Sequence, residues 1–160
     1  MTFKIRRVDL ERDQNEWLRL RFALWPGPED RLEELAQELI AIAANPQEPV
    51  FVAERPDGSL GGMLEVSIRT EAEGCQTGRI GYLEGWYVDP ELRGQGIGRQ
   101  LVEAAEAWAW AQGCTEMASD TTPDYPSSPQ VHARLGYREV QRTIHFRKEL
   151  AAIGDEPHGL

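Results

Sequence analysis

The sequence predicts one α/β (α+β) domain in which a mixed, mostly antiparallel sheet of about seven strands carries helices on both faces. Three observations support this fold class. Apolar residues alternate, or run without interruption, in several short segments, as they do in strands. They recur every three to four positions in longer segments, as they do in amphipathic helices. A meander of strands comes first and a strand–helix–strand segment follows it, which requires both antiparallel and parallel pairing.

The amino-terminal half is predicted to form a strand, two helices and a hairpin. Residues Phe3–Val8 alternate like a short strand, and Asp9 or Asp13 can cap a helix that runs to about Leu24. The sequence Trp25-Pro26-Gly27-Pro28 ends this helix, because proline lacks an amide donor. The other predicted elements of this half are a helix at 29–44, a strand at 50–53, a turn at 56–59 and a strand at 60–69.

The carboxy-terminal half begins with a strand at Ile80–Val88, which Asp89-Pro90 ends. A glycine-rich turn then opens a helix at about 97–112. The remaining predicted elements are a strand at 116–119, a polar loop at 120–129, a short helix at 130–135 and two closing strands at 137–141 and 143–148. The order β-α-α-β-β-β-α-β-α-β-β lacks the repeated β-α units of a Rossmann fold. The domain is expected to span residues 1–150, followed by a frayed tail at 151–160.

The composition restricts the partners. A chain of 160 residues with 41% apolar residues can build one compact core. The net charge is −10, from 17 Lys and Arg against 27 Asp and Glu. Such a protein repels nucleic acid and anionic membranes and attracts cations, although excess carboxylates also simply keep proteins soluble. We therefore expect no nucleic-acid partner and no membrane partner.

Targeting and redox features favour a cytoplasmic location. No run approaches the roughly 18–20 apolar residues of a membrane helix, and the start MTFKIRRVDLERD becomes polar too early for a secretory signal. Cys75 and Cys114 are too few and too far apart for a disulfide or metal framework. The expected protein is a cytoplasmic enzyme or binding domain that needs no metal.

The most informative segment lies where the strand at Ile80–Val88 leads into the next helix. Gly94, Gly96 and Gly98 let the backbone approach a ligand closely, and the first-turn N–H groups of a helix lack intrahelical partners. With the helix dipole, these donors can form a pyrophosphate site. A tight connection without a ligand is the simpler alternative. No Lys-Ser or Lys-Thr pair follows the glycines, so the segment is not a P-loop for nucleoside triphosphates.

The pattern Val88-x-Pro90-x-x-Arg93-Gly94-x-Gly96-Ile97-Gly98-x-x-Leu101 resembles the acetyl-CoA motif of the GNAT superfamily. The resemblance implies acetyl-CoA as co-substrate, a pyrophosphate held by backbone N–H groups of residues 93–98, and a pantetheine arm paired with residues 86–88. An N–H near Val88 would polarise the thioester carbonyl. The implied cofactor-binding residues are Trp86, Tyr87, Val88, Arg93, Gly94, Gln95, Gly96, Ile97, Gly98, Arg99 and His132. The side chains of Trp86 and Tyr87 could instead only pack in the sheet.

Acetyl transfer to an amine requires a group that binds the ammonium ion and accepts its proton. Glu84 lies in an apolar strand, and alternation places it on the face of Trp86 and Val88 unless a bulge intervenes. Asp120 follows a short strand beside the expected cleft. The alternatives are a solvated edge position for Glu84 and a cap through Thr121 or Thr122 for Asp120.

Three segments carry a narrower resemblance: YLEGWYVDP at 82–90, LVEAAEAWA at 101–109 and QGCTEMASDT at 112–121. With Phe146-Arg147-Lys148, they resemble the aminoglycoside 6'-N-acetyltransferases over roughly residues 3–150. The resemblance implies transfer of acetyl to the 6'-amine of an aminoglycoside in a ternary complex, an antibiotic-resistance activity. Glu84 and Asp120 would bind the drug, Glu84 would be the better proton acceptor, and Trp25 would lie in a substrate-facing loop.

Departures from the family pattern lie around the acceptor. His132 stands where relatives often carry a tyrosine general acid, so protonation of the thiolate falls to His132, to water or to no group. Asp124-Tyr125 replaces an expected Asp-Asn. Acetylation of another amine, such as a polyamine or a protein amino terminus, and a non-catalytic CoA-binding module remain alternatives. The hydrophobic edges of the closing strands favour a homodimer.

Overall fold

The computed structural model describes residues 2–152, which form a mixed five-stranded sheet with helices around it. The strands, in sheet order, are β1 Lys4–Arg7, β2 Val50–Glu54, β3 Leu60–Arg69, β4 Ile80–Val88 and β5 Glu116–Ser119. The helices are α1 Leu10–Leu24, α2 Arg31–Ala43, α3 Ile97–Ala111 and α4 Ser128–Arg134, with a 3-10 turn at Pro90–Leu92. The predicted α/β class is confirmed.

Both faces of the sheet are covered. Leu101 of α3 is buried in a cluster on one face. Trp17 of α1 and Leu39 of α2 are buried in a second cluster on the other face. Successive strand residues point to opposite sides, so Val52 belongs to the second cluster and its neighbour Ala53 to the first. This arrangement explains the uninterrupted apolar run of β2, because a strand covered on both sides needs apolar residues at consecutive positions.

Helix α1 begins at the first of the two predicted caps. The carboxylate of Asp9 accepts the N–H of Glu11 at 3.1 Å, as an N-cap residue does. Asp13 is buried one turn later, where its carboxylate accepts two hydrogen bonds from Arg6 of β1, at 2.7 and 2.9 Å. Asp13 therefore ties the helix to the edge strand, and Asp9 caps it.

The strand directions create a divergence in the sheet. Strands β1 to β4 pair antiparallel, whereas β4 and β5 are parallel and α3 is the crossover between them. The β4–β5 pairing runs from Ile80–Glu116 to Leu83–Ser119. Strand β4 continues to Val88 after β5 has ended, so the second half of β4 has a strand neighbour only on the β3 side within the described chain.

The two predicted closing strands are absent, so the prediction of about seven strands is wrong for the single chain. Residues 137–152 form no helix, strand or turn. A strand exists only where a neighbouring strand pairs with its N–H and C=O groups. In the described part of the chain, the one backbone hydrogen bond between this segment and the rest joins the N–H of Tyr137 to the carbonyl of His132, at 3.0 Å.

The described residues include no helix that is both long and apolar enough to cross a membrane. The predicted tail at 151–160 lies largely outside the described residues, which end at 152.

Candidate active site

Glu84 and Asp120 lie together where β4 and β5 diverge. Leu83 and Ser119 form the last residue pair of the two strands, and Glu84 and Asp120 are the next residue on each. Burial raises the pKa of the Tyr82 hydroxyl to about 12, and Asp120 lies near enough for its negative charge to add to this effect. The structure therefore brings the two predicted carboxylates to the same end of the divergence.

Glu84 lies at a bulge. Glu65 of β3 pairs with Gly85, and the next residue, Val66, pairs with Leu83, so Glu84 is the extra residue on β4. Gly85 faces the Trp25 ring, whereas Trp86 packs against the α3-side cluster. Because of the bulge, Glu84 lines a cavity on the Trp25 side and does not share a face with Trp86 and Val88, which is the exception that the prediction made for a bulge.

The carboxylate of Glu84 is fully engaged by two residues of β3. Its Oε1 accepts hydrogen bonds from Ser67 Oγ at 2.6 Å and from Arg69 Nε at 2.8 Å. Its Oε2 accepts one from a terminal nitrogen of Arg69 at 2.7 Å. The Arg69 guanidinium also stacks on the ring of Tyr82, 3.5 Å from its centroid. Glu84 therefore has an internal cationic partner.

Trp25 lies over the same side of the sheet, in the turn that follows α1. A Cβ placed on Gly85 would come within 2.5 Å of the Trp25 ring, so the glycine is required for this close contact. A cavity of about 330 Å³ lies here. Its lining residues are Arg21, Trp25, Ile42, Glu48, Glu65, Val66 and Glu84. With three carboxylates and one guanidinium, the cavity is suited to a cationic ligand.

A buried ion pair forms one wall of the cavity. Glu65 accepts hydrogen bonds from Trp17 Nε1 at 2.9 Å and from Arg21 Nε at 2.8 Å. Arg21 donates in addition to the carbonyl of Leu35 at 3.0 Å, and its guanidinium stacks on Trp25, 5.0 Å from the ring centroid. The pair fixes α1 against β3 and holds the Trp25 ring.

Sequence reasoning missed the β3 residues of the site. Glu65, Ser67 and Arg69 occur at alternate positions of a strand that is otherwise apolar, so they share one face. This spacing is the signal that could have identified them. Tyr125 was also missed as a contact: its hydroxyl donates to the carbonyl of Leu24 at 2.6 Å and joins the loop after β5 to the end of α1.

The glycine-rich loop has the geometry of an anion site. Gly94 and Gly96 adopt positive φ angles of 82° and 84°, and a Cβ on either would point into open space. In the described chain, the N–H groups of Gly94 to Gly98 donate to no backbone carbonyl of a turn, loop or cap. The Arg93 N–H differs, since it donates to the carbonyl of Pro90 at 3.3 Å. The backbone N–H groups that are available to a ligand therefore begin at Gly94, whereas the prediction had them begin at Arg93.

The side chains of this loop have other partners. Arg93 donates through Nε to the carbonyl of Val88 at 2.9 Å and lies over the ring of Tyr87. Ile97 is buried in the core, and Arg99 donates to the carbonyl of Arg134 at 3.2 Å. Gln95 is exposed. The loop thus offers mainly backbone donors to a ligand.

Trp86 has a donor without an acceptor. Its Nε1–H is buried and has no hydrogen-bond partner among the described residues. The ring lies against the start of α3, where a Cβ on Gly98 would come within 3.1 Å of it. A buried N–H without a partner costs about 1–3 kcal/mol, so this donor beside the glycine loop is available to a bound group.

His132 is held by hydrogen bonds on both ring nitrogens. Its Nδ1 lies 2.8 Å from the carbonyl of Ser128, which can only accept, so Nδ1 carries the proton. Its Nε2 lies 2.8 Å from Ser119 Oγ and accepts from that hydroxyl. The ring packs edge-on against Trp86, with 5.6 Å between the centroids. His132 therefore connects β5, α4 and the Trp86 ring.

Comparison with known proteins agrees with this fold. Residues 12–137 match the model of the acetyltransferase (GNAT) family. An aminoglycoside N(6')-acetyltransferase type 1 from Klebsiella aerogenes is 44% identical over 140 residues, covering 86% of this chain and 91% of the relative.

Two solved structures are similar over most of the fold. The first is an aminoglycoside antibiotic 6'-N-acetyltransferase from Acinetobacter baumannii, with a TM-score of 0.82 and 34% identity over 94% of this chain and 100% of that one. The second is AAC(6')-Iy in complex with the bisubstrate analogue CoA-S-monomethyl-acetylneamine, with a TM-score of 0.79 and 35% identity over 94% of this chain and 100% of that one. This chain belongs to the GNAT acetyltransferase family.

Proposed function

We propose that the protein transfers the acetyl group of acetyl-CoA to the 6'-amine of an aminoglycoside, within a ternary complex, and thereby inactivates the antibiotic. The observation that carries the proposal is the pair Glu84 and Asp120 at the divergence of β4 and β5. Two carboxylates at this point are suited to a polycationic amine, and the similar proteins bear the name of this activity.

The glycine loop and Trp86 are the proposed cofactor site. The backbone N–H groups from Gly94 to Gly98 would hold the pyrophosphate, and the free face of Gly96 leaves room for it. Trp86 Nε1 would donate to the cofactor, and an N–H near Val88 would stabilise negative charge on the carbonyl oxygen. When bound there, acetyl-CoA supplies an activated thioester.

The acceptor would occupy the cavity beside Trp25. Glu48, Glu65 and Glu84 contribute three negative charges and Arg21 one positive charge, so the lining has an excess of two negative charges once Arg69 has left Glu84. A second hollow of about 610 Å³ lies beyond Arg69 and includes Glu71 and Glu73 in its lining. An acceptor with several ammonium groups can use acidic residues on both sides of Glu84, whereas a simple monoamine cannot.

Arg69 is the cation that an acceptor would displace from Glu84. The Arg69 and Glu84 side chains are 43% and 32% exposed, and an ion pair of this exposure contributes only about 0.2–1 kcal/mol. Exchange of the guanidinium for the substrate amine therefore costs little free energy at Glu84, and the stacking of Arg69 on Tyr82 gives it a place beside the acceptor.

Glu84 is the proposed proton acceptor, directly or through water, once Arg69 has released it. Asp120 would bind a second ammonium group, because its carboxylate is exposed at the other side of the divergence. The bonds of His132 to Ser119 and Ser128 favour a positioning role for this ring, with Trp86 as the group that it positions.

A panel of acceptors tests the proposal by the release of CoA thiol. We expect turnover with aminoglycosides that carry a 6'-amine and little turnover with those that carry a 6'-hydroxyl. Turnover only with polyamines or peptides would replace the aminoglycoside by another amine. Acetyl-CoA binding without turnover for any amine would identify a non-catalytic CoA-binding module.

A further inference from the structure

Tyr125 joins the two sides of the candidate active site. Its hydroxyl donates to the carbonyl of Leu24 at 2.6 Å. Leu24 is the last residue of α1, and Trp25, which follows it, lines the cavity. Tyr125 belongs to the loop that follows β5 and begins with Asp120. The hydrogen bond, called the Tyr125–Leu24 strap below, therefore connects the segment of Trp25 with the segment of Asp120.

The strap crosses the divergence of β4 and β5. The two strands stop pairing after Leu83 and Ser119. The end of α1 rests on β4 just beyond this point, since a Cβ on Gly85 would come within 3.5 Å of the Leu24 side chain. The strap connects this position on β4 with the loop that leaves β5. It therefore spans the gap between the strands on the face of the sheet that carries α1.

The backbone is held by hydrogen bonds at both ends of the strap. The N–H of Tyr125 donates to the carbonyl of Thr122 at 3.0 Å, and the carbonyl of Tyr125 accepts the N–H of the first residue of α4 at 3.0 Å. At the other end, the last carbonyls of a helix have no intrahelical donor. Tyr125 supplies a donor to Leu24, and Arg31 supplies one to the carbonyl of Trp25 at 3.2 Å. The strap therefore joins two segments that are each fixed locally.

The strap can open and close. The Tyr125 side chain lies at the surface, 37% exposed, so water can replace its hydrogen bond. A neutral hydrogen bond shifts such an equilibrium by only about two- to tenfold. An acceptor can therefore enter while the strap is open, and the closed form still predominates. In the closed form the Trp25 turn and the Asp120 loop keep a fixed separation.

We propose that Tyr125 is a positioning residue for the acceptor, because its bond to Leu24 fixes the Asp120 loop relative to the Trp25 turn. The proposal rests on the acceptor site proposed above. An acceptor that reaches both Glu84 and Asp120 gains from the fixed separation, since its binding energy is not spent on ordering the loop. An amine that reaches only Glu84 gains nothing. Tyr125 thus favours acceptors with several ammonium groups over simple amines.

Amide hydrogen exchange in the absence of any ligand tests whether the strap holds the two segments. Tyr125→Phe removes the hydroxyl and keeps the ring. We expect exchange to become at least about twofold faster in both segments, 21–25 and 120–128. Tyr137→Phe is the matched control, because the Tyr137 hydroxyl also joins two parts of the chain, donating to Glu106 of α3 at 3.0 Å. The control should leave exchange in both segments unchanged, and unchanged exchange in Tyr125→Phe would overturn the proposal.

Kinetics of thiol release with two probes measure the effect on the acceptor. The probes are kanamycin A, an aminoglycoside with a 6'-amine, and 6-amino-6-deoxyglucose, the single ring that carries this amine. For kanamycin A we expect Tyr125→Phe to raise the acceptor KM by about two- to tenfold, with unchanged kcat and unchanged acetyl-CoA KM. For the single ring kcat/KM should not change.

A double-mutant cycle shows whether Tyr125 acts through the Asp120 loop. In the Asp120→Asn background, Tyr125→Phe should have little further effect on kanamycin A, because the loop then lacks the carboxylate that the strap places. Additive effects of the two substitutions would overturn the proposal. Equal losses for both probes, or the same loss in Tyr137→Phe, would do so as well, because they indicate a general structural role.

A failure of the proposed function would give a different result. The natural chain would then turn over neither probe, while the hydrogen-exchange measurement would still report on the strap. Calorimetry of kanamycin A binding would take the place of the kinetics, and we expect the dissociation constant to rise by about two- to tenfold in Tyr125→Phe. Equal affinities, or no binding by either chain, would overturn the positioning role.

Discussion

At the scale of single residues, the site depends on how Glu84 is partnered. Three hydrogen bonds from Ser67 and Arg69 hold its carboxylate at a fixed position. The bulge turns it toward Trp25 and away from Trp86. Neither feature follows from the sequence around Glu84, because the partners belong to β3 and the bulge depends on pairing. The sequence did predict a carboxylate at the divergence, because Glu84 lies in the strand that leads to the glycine loop.

Glu84→Gln should lower kcat by about 10²–10⁴-fold if Glu84 accepts the amine proton, because that is the usual effect of removing a general base. Asp120→Asn should mainly raise the acceptor KM, because it removes a ground-state contact. Steady-state kinetics of thiol release, with both variants shown to be folded, measure the difference. An unchanged kcat and pH profile in Glu84→Gln would assign the proton transfer to water or to the substrate.

Arg69→Met should lower the acceptor KM by up to about fivefold, the equivalent of the 0.2–1 kcal/mol of an exposed ion pair. The variant leaves Glu84 without its internal cation, so the acceptor no longer has to displace one. Arg79→Met is the matched control, because it removes the same charge at a side chain that donates to the Gln112 carbonyl. A raised acceptor KM with a reduced kcat would instead mean that Arg69 positions Glu84 for catalysis.

At the scale of elements, local patterns predicted most of the fold. The bounds of β3, β4 and β5 agree with the predicted strands, since β3 and β4 are mainly apolar runs and β5 is a short segment followed by a polar, proline-containing loop. The start of α3 at Ile97 also agrees, because the preceding glycine fixes it. The prediction of two closing strands at 137–141 and 143–148 was wrong, although the residues of both segments have strand character. A strand needs a partner as well as a suitable sequence, and residues 137–152 pair with no strand among the described residues.

Gly96→Ala should raise the dissociation constant of acetyl-CoA by at least about tenfold, or ~1.4 kcal/mol. The added methyl group would point into the open space where we propose the pyrophosphate. Gly113→Ala is the control, because Gly113 has a similar positive φ of 88° just beyond the other end of α3. Both substitutions carry a backbone cost of roughly 1–2 kcal/mol, which thermal unfolding measures. Equal acetyl-CoA affinity of the two variants by calorimetry would remove the loop from the cofactor site.

At the scale of the whole molecule, acidic residues have two roles: some line the cavity for a cationic ligand, and others bind arginines and stabilise the fold. The excess of acidic residues, evident in the composition, is concentrated in part at the cavity beside Trp25, which suits a cationic acceptor. Another carboxylate is structural: Asp89 is buried and bound by Arg19 and Arg55 from distant parts of the chain. Glu65 has both roles, because it lines the cavity and is bound by Arg21 of α1. The sequence predicted the net charge but not this division, because the pairs join residues far apart in sequence. The same long-range contacts explain why the β3 side of the site was missed.

Asp89 shows the structural use most clearly. It ends β4 and accepts hydrogen bonds from Arg19 of α1 at 3.0 Å and from Arg55 of the β2–β3 turn at 2.7 Å. Burial opposes its charge, but the two arginines outweigh burial and hold the pKa of Asp89 below its ordinary value of 3.8. A carboxylate with a lowered pKa stabilises the folded state above the unfolded pKa, and this stabilisation is lost as the pH falls through the folded pKa.

Asp89→Asn should therefore lower the free energy of unfolding at pH 7 by about 1–3 kcal/mol, the range for a charge-assisted hydrogen bond that leaves its partners unsatisfied. The difference from the natural chain should shrink as the pH falls below 3.8, because Asp89 of the natural chain then becomes protonated as well. Urea unfolding across this pH range measures both effects. Asp124→Asn makes the same chemical change at an exposed residue and should leave stability within about 0.5 kcal/mol at every pH. A loss of stability in Asp89→Asn that did not change with pH would mean that packing, and not the charge of Asp89, joins β4 to α1 and the hairpin.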